Sequence, residues 1–589
     1  MRRSYSLLLP CLTLLAPLAH GNAQSARLDS LDAFVKAQMA QRQVRGLSLA
    51  IIKDGKIAVA RAYGVVDDST KRPVTTSTLF QAGSVSKPVA ALGALHLVEK
   101  GTLSLDTDVN TKLTSWKVPE NKFTMAEKVT LRRLLSHTAG LTVHGFPGYD
   151  VSEPMPALVQ VFDGAPPANT APIRVDTTPG AIWNYSGGGY TVAQQLMIDV
   201  TGQPFARYMQ TTVLAPIGMT SSSYEQPLPS ARAALTATGY YADLTPVRGR
   251  WHVYPEMAAA GLWTTPTDLA KFAIEIQETL AGRGHGVVSP AMARQYVTEQ
   301  KRGDALGVFV QGTGKALEFY HDGRDEGFDA LLTAGAETGD GVVVMINAND
   351  NSPMTARIRD YVAHAWDFAG SKQRPAPAAT VAAHIDPSRL AAYSGYYEAR
   401  ENVMVALAGD PAHSAMQMLV DARPAEDFLA IDSVRFGSTD RPFRIAFNAD
   451  GGVVTGATWA LGEPREHKIA RVAPLPSGLQ PRPDPEPALA ARISSAIAAL
   501  CGGGAALASS ADVSPGVKKD FVRPQPSLGD FTRATYLGEE NVAGRGIRRH
   551  GGEVARVRLY RLPTQRGDQY LMVHITADGL VTDYDLVLR

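Results

Sequence analysis

Cysteine is almost missing from this chain. Its 589 residues include two, Cys11 and Cys501. Cys11 lies in a short apolar stretch near the start that reads as a leader. The mature chain then keeps one thiol and no internal disulfide, and its stability has to come from packing. Cys501 reads as a small buried apolar residue. An excess of charge of either sign is also lacking: 58 Lys and Arg stand against 57 Asp and Glu. That balance offers no handle for nucleic acid or an anionic membrane surface. No run past the leader reaches the roughly 18 apolar residues of a membrane-spanning helix, so no stable membrane anchor is expected. His-Glu-x-x-His and paired Cys-x-x-Cys patterns are absent, and Gly312-Thr313-Gly314-Lys315 lacks the spacing of a phosphate loop and reads as a hairpin tip. No internal repeat is visible.

What is present fits a soluble multidomain protein. Apolar residues make up 45% and charged ones 20%, and the length allows two to four domains. Residues 1–23 read as an export signal: Arg2 and Arg3, an apolar core over 7–18, and Gly21-Asn22-Ala23 as a small-x-small cleavage site. Pro10 before Cys11 disfavours a lipoprotein. The expected location is periplasmic or secreted.

Leu28, Leu31, Phe34, Val35 and Met39 recur at helical spacing. Two apolar runs, 47–52 and 57–63, flank Asp54-Gly55, a tight-turn pair that predicts a hairpin. Helices are predicted at 126–136, 189–201, 204–212, 266–281 and 353–368, and strands at 307–311, 316–321, 329–334 and 341–347. The domain therefore occupies 24–370. Residues 371–384 read as a linker, 385–473 as a small antiparallel β domain, 474–487 as a second, Pro-rich linker, and 488–589 as a small α+β domain.

One stretch organises the rest. Ser84-Val85-Ser86-Lys87 precedes Val89, Leu92, Leu95 and Leu97 at roughly helical spacing, so Ser84 should open a buried helix. Residues three apart on a helix are neighbours, which sets the Lys87 amine beside the Ser84 hydroxyl. A partly desolvated lysine loses its proton more easily and can turn a serine into a nucleophile. Read alone, Ser84 could simply be an N-cap. Three further stretches bear on that choice. Tyr185, in Asn184-Tyr185-Ser186-Gly187-Gly188, could relay protons if neighbouring cations stabilise its phenolate. In His321-Asp322-Gly323-Arg324, Gly323 would let a substrate approach the strand, and the amide after it could donate to an oxyanion. Segments 134–141 and 259–269 read as core and cleft architecture; Asp325-Glu326 could favour a cationic substrate but reads more readily as a solvated charge run.

In this order the stretches resemble the serine β-lactamase and penicillin-binding superfamily, in its branch of class C β-lactamases, DD-carboxypeptidases and esterases. The similarity covers about residues 28–368. It implies an α+β fold: an antiparallel sheet flanked by helices plus an all-helical lobe, followed here by two small β-rich domains, the first loosely similar to lipocalin-like modules. It also implies that Ser84 is acylated, that Lys87 is the general base, and that Tyr185 is the catalytic tyrosine. His321, Asp322 and Gly323 would form the substrate-binding strand, and the Ser84 and Arg324 amides the oxyanion hole. No metal or cofactor is implied. Two departures stand out. The family's Tyr-x-Asn reads Tyr185-Ser186-Gly187, and Asp322 replaces a threonine that often holds a substrate carboxylate, so an anion there should repel that group. The expected function is therefore an exported serine hydrolase of esters, amides or peptides, with a small-molecule or peptide substrate. The alternatives are β-lactam hydrolysis or a non-catalytic sensor of cell-wall peptide. Nothing in the sequence sets an oligomeric state.

Overall fold

The computed structural model describes residues 16–241, 244–349, 353–369, 383–400, 403–420, 423–438, 443–461, 466–476, 479–502, 504–520, 531–564 and 567–587. Most of the expected leader, with Cys11, and most of the 371–384 linker lie outside them. The chain divides into two compact units, Met1–Arg374 and Pro375–Arg589.

The first unit begins with α1 (Ala16–Arg42), β1 (Gly46–Lys53) and β2 (Lys56–Gly64). Asp54 and Gly55 turn the hairpin at φ of 53° and 71°, the left-handed region that a two-residue turn requires. Helices follow: α2 (Ser86–Glu99), α3 (Gly187–Thr201), the short α4 (Met257–Ala260) and α5 (Pro266–Leu280). The chain then returns to strands β3 (Phe309–Gln311), β4 (Glu318–Asp325), β5 (Phe328–Gly335) and β6 (Gly341–Ile346), and closes with α6 (Pro353–Ala365). The six strands form one antiparallel sheet in the order β2-β1-β6-β5-β4-β3.

Both faces of its centre are covered. In β1, Leu47, Leu49 and Ile51 join a core with α1 and α6, whereas Ala50 and Ile52 join the core shared with the helical lobe. In β6, Val342, Val344 and Ile346 face the first core, and Val343 and Met345 the second. Alternate side chains leave a strand on opposite faces, so strands buried on both read as unbroken apolar runs. Each such side chain contributes about 1.5–3 kcal/mol of burial.

Two elements differ from expectation. The helix predicted at 126–136 is only Leu131–Leu135, because the Thr130 side chain caps it by accepting from the Arg133 amide. β4 runs four residues beyond the predicted strand end and turns into β5 at Glu326-Gly327. His321 to Arg324 therefore lie within a strand.

In the second unit, eight antiparallel strands from Gly395–Arg400 to His467–Ala473 close into a barrel. Its interior is filled: Tyr397, Met416, Phe428, Phe436 and Ile445 form one core, and Tyr393 stacks on Phe447 at 4.2 Å. A four-stranded sheet follows, made of Thr535–Asn541, Arg556–Thr564, Gly567–Ile575 and Val581–Val587 in that order. Helix Pro487–Gly502 packs on one face of it through Ile493, Ile497 and Leu500. On the other face Leu537, Val557 and Met572 share a core with Tyr396, Val472 and Ala473 of the barrel. Buried Arg549 pairs with Glu398 across that contact. Cys501 is half-buried at the edge of the helix–sheet core, not within it.

Candidate active site

Ser84 sits in a single 3-10 turn, Gly83–Val85, just before α2. It is not the N-cap: Val85 holds that place, and no side chain caps the helix. The Ser84 hydroxyl instead accepts a hydrogen bond from the Lys87 amine at 2.9 Å. Lys87 keeps 2% of its surface. Its second partner is the Ala259 carbonyl at 2.8 Å, one of the last carbonyls of α4, which have no partner within so short a helix. Burial lowers the Lys87 amine to about 7, with Asp325 and Asp322 opposing. The fraction present as free base near neutral pH is therefore large, and its lone pair can take a proton from Ser84.

Tyr185 lies two residues before α3, where Ser186 caps the helix by accepting from the Gly189 amide. Its hydroxyl faces that of Ser84, and burial raises it. Its ring lies 5.0 Å from the Lys87 amine. The hydroxyl, the amine and the phenol thus converge although Tyr185 lies about a hundred residues along the chain from the other two. His137 packs on Tyr185 with ring centroids 4.1 Å apart. It accepts the Ser186 amide at its Nδ1 at 3.0 Å and binds the Asn184 amide through its carbonyl. Its own φ is 54°, so the turn Leu135–Gly140 holds it in a conformation few non-glycine residues adopt. Burial pushes the His137 imidazole well below its usual value, and it acts as a neutral acceptor. The sequence reading missed both His137 and Ala259, because each meets the site through a long-range contact.

β4 forms the opposite wall. At Gly323 the chain's own turn approaches the strand. A Cβ there would lie 2.1 Å from the Ala82 carbonyl and 2.9 Å from the Ser84 amide nitrogen. Gly83, at φ 51°, is the reciprocal case, with Arg324 nitrogen 2.4 Å from where its Cβ would stand. Two glycines therefore let the Ser84 turn lie directly on β4. In the β4–β5 ladder Arg324 faces Asp329, one residue inside the Asp325–Phe328 pair that closes a two-residue turn. Such a position points its amide away from the neighbouring strand, into the space beside Ser84. β3 pairs only with Glu318 to Tyr320.

The other expected residues of this wall are placed as follows. His321 is buried, its Nδ1 2.5 Å from the Asp322 carbonyl. Burial lowers it to about 4, so it is neutral at ordinary pH. Asp322 is exposed. The Arg324 guanidinium is held by Asp329 through two contacts of 2.9 and 3.2 Å. Where the family pattern has an amide side chain, Gly187 has no room for one: a Cβ would meet Phe146 at 2.9 Å and the His144 carbonyl at 3.1 Å. The expected solvated charge run is not one. Asp325 keeps 3% of its surface and Glu326 is half-buried.

Ser84, Lys87, Phe146, Ala260, Arg324 and Glu326 are among the residues lining a cavity of about 300 Å³. Among the described residues no three His, Cys, Asp or Glu are grouped to hold a metal ion, and no helix is long and apolar enough to cross a membrane.

The sequence model of the Beta-lactamase family matches residues 31–365. "Penicillin-binding protein 4" of Amycolatopsis lactamdurans is 27% identical over 324 residues, 52% of this chain and 82% of that one. "Esterase EstB" of Burkholderia gladioli is 31% identical over 205 residues, 32% of this chain and 49% of the esterase, so the match spans about half of that relative. Among solved structures, the octameric penicillin-binding protein homologue from Pyrococcus abyssi superposes with a TM-score of 0.53 at 21% identity, over 75% of this chain and 99% of that one, a likeness of fold. The family match takes in every strand of the six-stranded sheet and every residue around Ser84, over more than half of the chain, and this protein belongs to the Beta-lactamase family.

Proposed function

We propose that this protein is an exported serine hydrolase that cleaves an ester, amide or peptide bond through an acyl-enzyme. The observation that carries this reading is the buried, easily deprotonated Lys87 amine on the Ser84 hydroxyl. In the proposed sequence Ser84 Oγ attacks the substrate carbonyl as its proton passes to the neutral Lys87 amine. The oxyanion is held by the Ser84 and Arg324 amides. The proton then reaches the leaving group through the Tyr185 hydroxyl, and a water relayed by the same groups releases the acyl chain. Export rests on the leader-like residues 1–23, and sequencing the secreted protein should begin at Gln24.

Asp322 on the open edge of β4 disfavours the carboxylate that β-lactams carry, so esters and amides rank above β-lactams. A fluorophosphonate probe should label the protein, and Ser84→Ala should remove the label. Label retained in that variant, or none in the wild type, overturns the acyl-enzyme. A panel of p-nitrophenyl esters, D-amino-acid amides and nitrocefin should then show ester or amide turnover, with nitrocefin slowest.

A further inference from the structure

Two acids that form no ion pair line the Ser84 cavity beside Phe146, with Lys87 acting on Asp325 only through space. Asp325 is 3% exposed, lines the cavity, and neither carboxylate oxygen makes a well-formed hydrogen bond, although the Gly83 amide faces it. Glu326 lines the same cavity, and its carboxylate has no hydrogen-bond or ion-pair partner among the described residues. The nearby cations are already engaged. Lys87 donates to Ser84 and the Ala259 carbonyl and makes no ion pair with Asp325, and Arg324 is bound to Asp329. Burying a carboxylate without a partner costs several kcal/mol, which makes sense where the partner arrives with the ligand.

We propose that Asp325, Glu326 and the ring of Phe146 form a subsite for a protonated amine, so that the substrate carries an ammonium close to its scissile carbonyl. This deepens the acyl-enzyme reading and rests on it. The chemistry matches an ammonium group: two carboxylates supply acceptors for its N–H bonds, and an aromatic face supplies the third wall. A cavity of about 300 Å³ admits a small amino-acyl group. Burial pushes Asp325 well up, and Glu326 up as well, so both hold protons more tightly until a cation enters. An incoming ammonium supplies the missing charge and lets Asp325 ionise.

The test is competition against p-nitrophenyl acetate hydrolysis by the full-length protein. Glycinamide should inhibit at least about tenfold more tightly than N-acetylglycinamide, which has the same backbone without the charge, and that ratio should fall by about tenfold in Glu326→Gln or Asp325→Asn. Reading a ratio keeps the result meaningful if a variant is slower overall. Equal inhibition by the two amides, or a ratio unchanged in both variants, overturns the subsite. If ester hydrolysis is abolished by Ser84→Ala and the amides still inhibit equally, the subsite falls and the acyl-enzyme stands. If the wild type neither hydrolyses the ester nor takes the fluorophosphonate label, both fall.

Discussion

Lys87 shows most plainly the conflict between folding and chemistry at a single residue. Burial lowers it from 10.5 to about 7, so between those values the unfolded chain holds a proton that the folded chain does not. Stability from this group therefore rises with pH from about 7 to 10.5, and the full penalty applies below 7. Lys87→Met should raise the melting temperature by roughly 2–4 °C at pH 7, an advantage that shrinks towards pH 10, while labelling of Ser84 falls by at least about a thousandfold. For the wild type, kcat/KM should rise with pH through about 7 as the amine becomes free base. A flat profile between pH 5.5 and 8.5 would contradict that assignment. His137 acts one step further out, fixing Tyr185 through ring packing and the Ser186 and Asn184 amides. His137→Ala should lower kcat by about a hundredfold with little change in KM, since small displacements of a reacting group cost that much. His137→Gln, which can still accept from Ser186, should recover part of the loss.

At the scale of elements, the contact between the Ser84 turn and β4 decides whether the two proposed oxyanion donors converge. With no side chain on Gly83 or Gly323, the turn and strand touch backbone to backbone. Gly323→Ala places a methyl group 2.1 Å from the Ala82 carbonyl, so turn and strand must separate. The expected cost is about 1–3 kcal/mol of stability by chemical denaturation and a loss of about 10²–10³ in kcat. The hairpin at Glu326-Gly327 works at the same scale: by continuing β4 to Asp325 it turns what reads as a charge run into part of the cavity wall.

At the scale of the molecule, each unit has cores of its own. The sheet and helical lobe are closed by two clusters that draw on residues 31–368, while the barrel and the four-stranded sheet share a third between them. A chain ending at Arg374 should therefore fold cooperatively and still take the fluorophosphonate label at Ser84. A second unit cut after Ala473 should aggregate, because Tyr396, Val472 and Ala473 lose their cover and Glu398 loses Arg549, an uncompensated buried charge that costs about 3–5 kcal/mol. Light scattering and thermal melts of the two truncations check both outcomes.

The sequence by itself determined what depends on neighbours within a turn of helix or a step of strand. The Ser84–Lys87 juxtaposition, the Asp54-Gly55 hairpin, the apolar strands of the sheet and the antiparallel β character of 385–473 are readable there, because periods of 3.6 and 2 and turn preferences are local properties. The resemblance to a known family supplied Tyr185 and the wall from His321 to Arg324, which local pattern alone leaves as glycine turns. Only the tertiary structure decided the rest: the Ala259 carbonyl on Lys87, His137 behind Tyr185, Phe146 in the space beside Gly187, and Asp325 buried without a partner. Those contacts join residues far apart in the chain, and whether a carboxylate is solvated or enclosed depends on which elements pack over it.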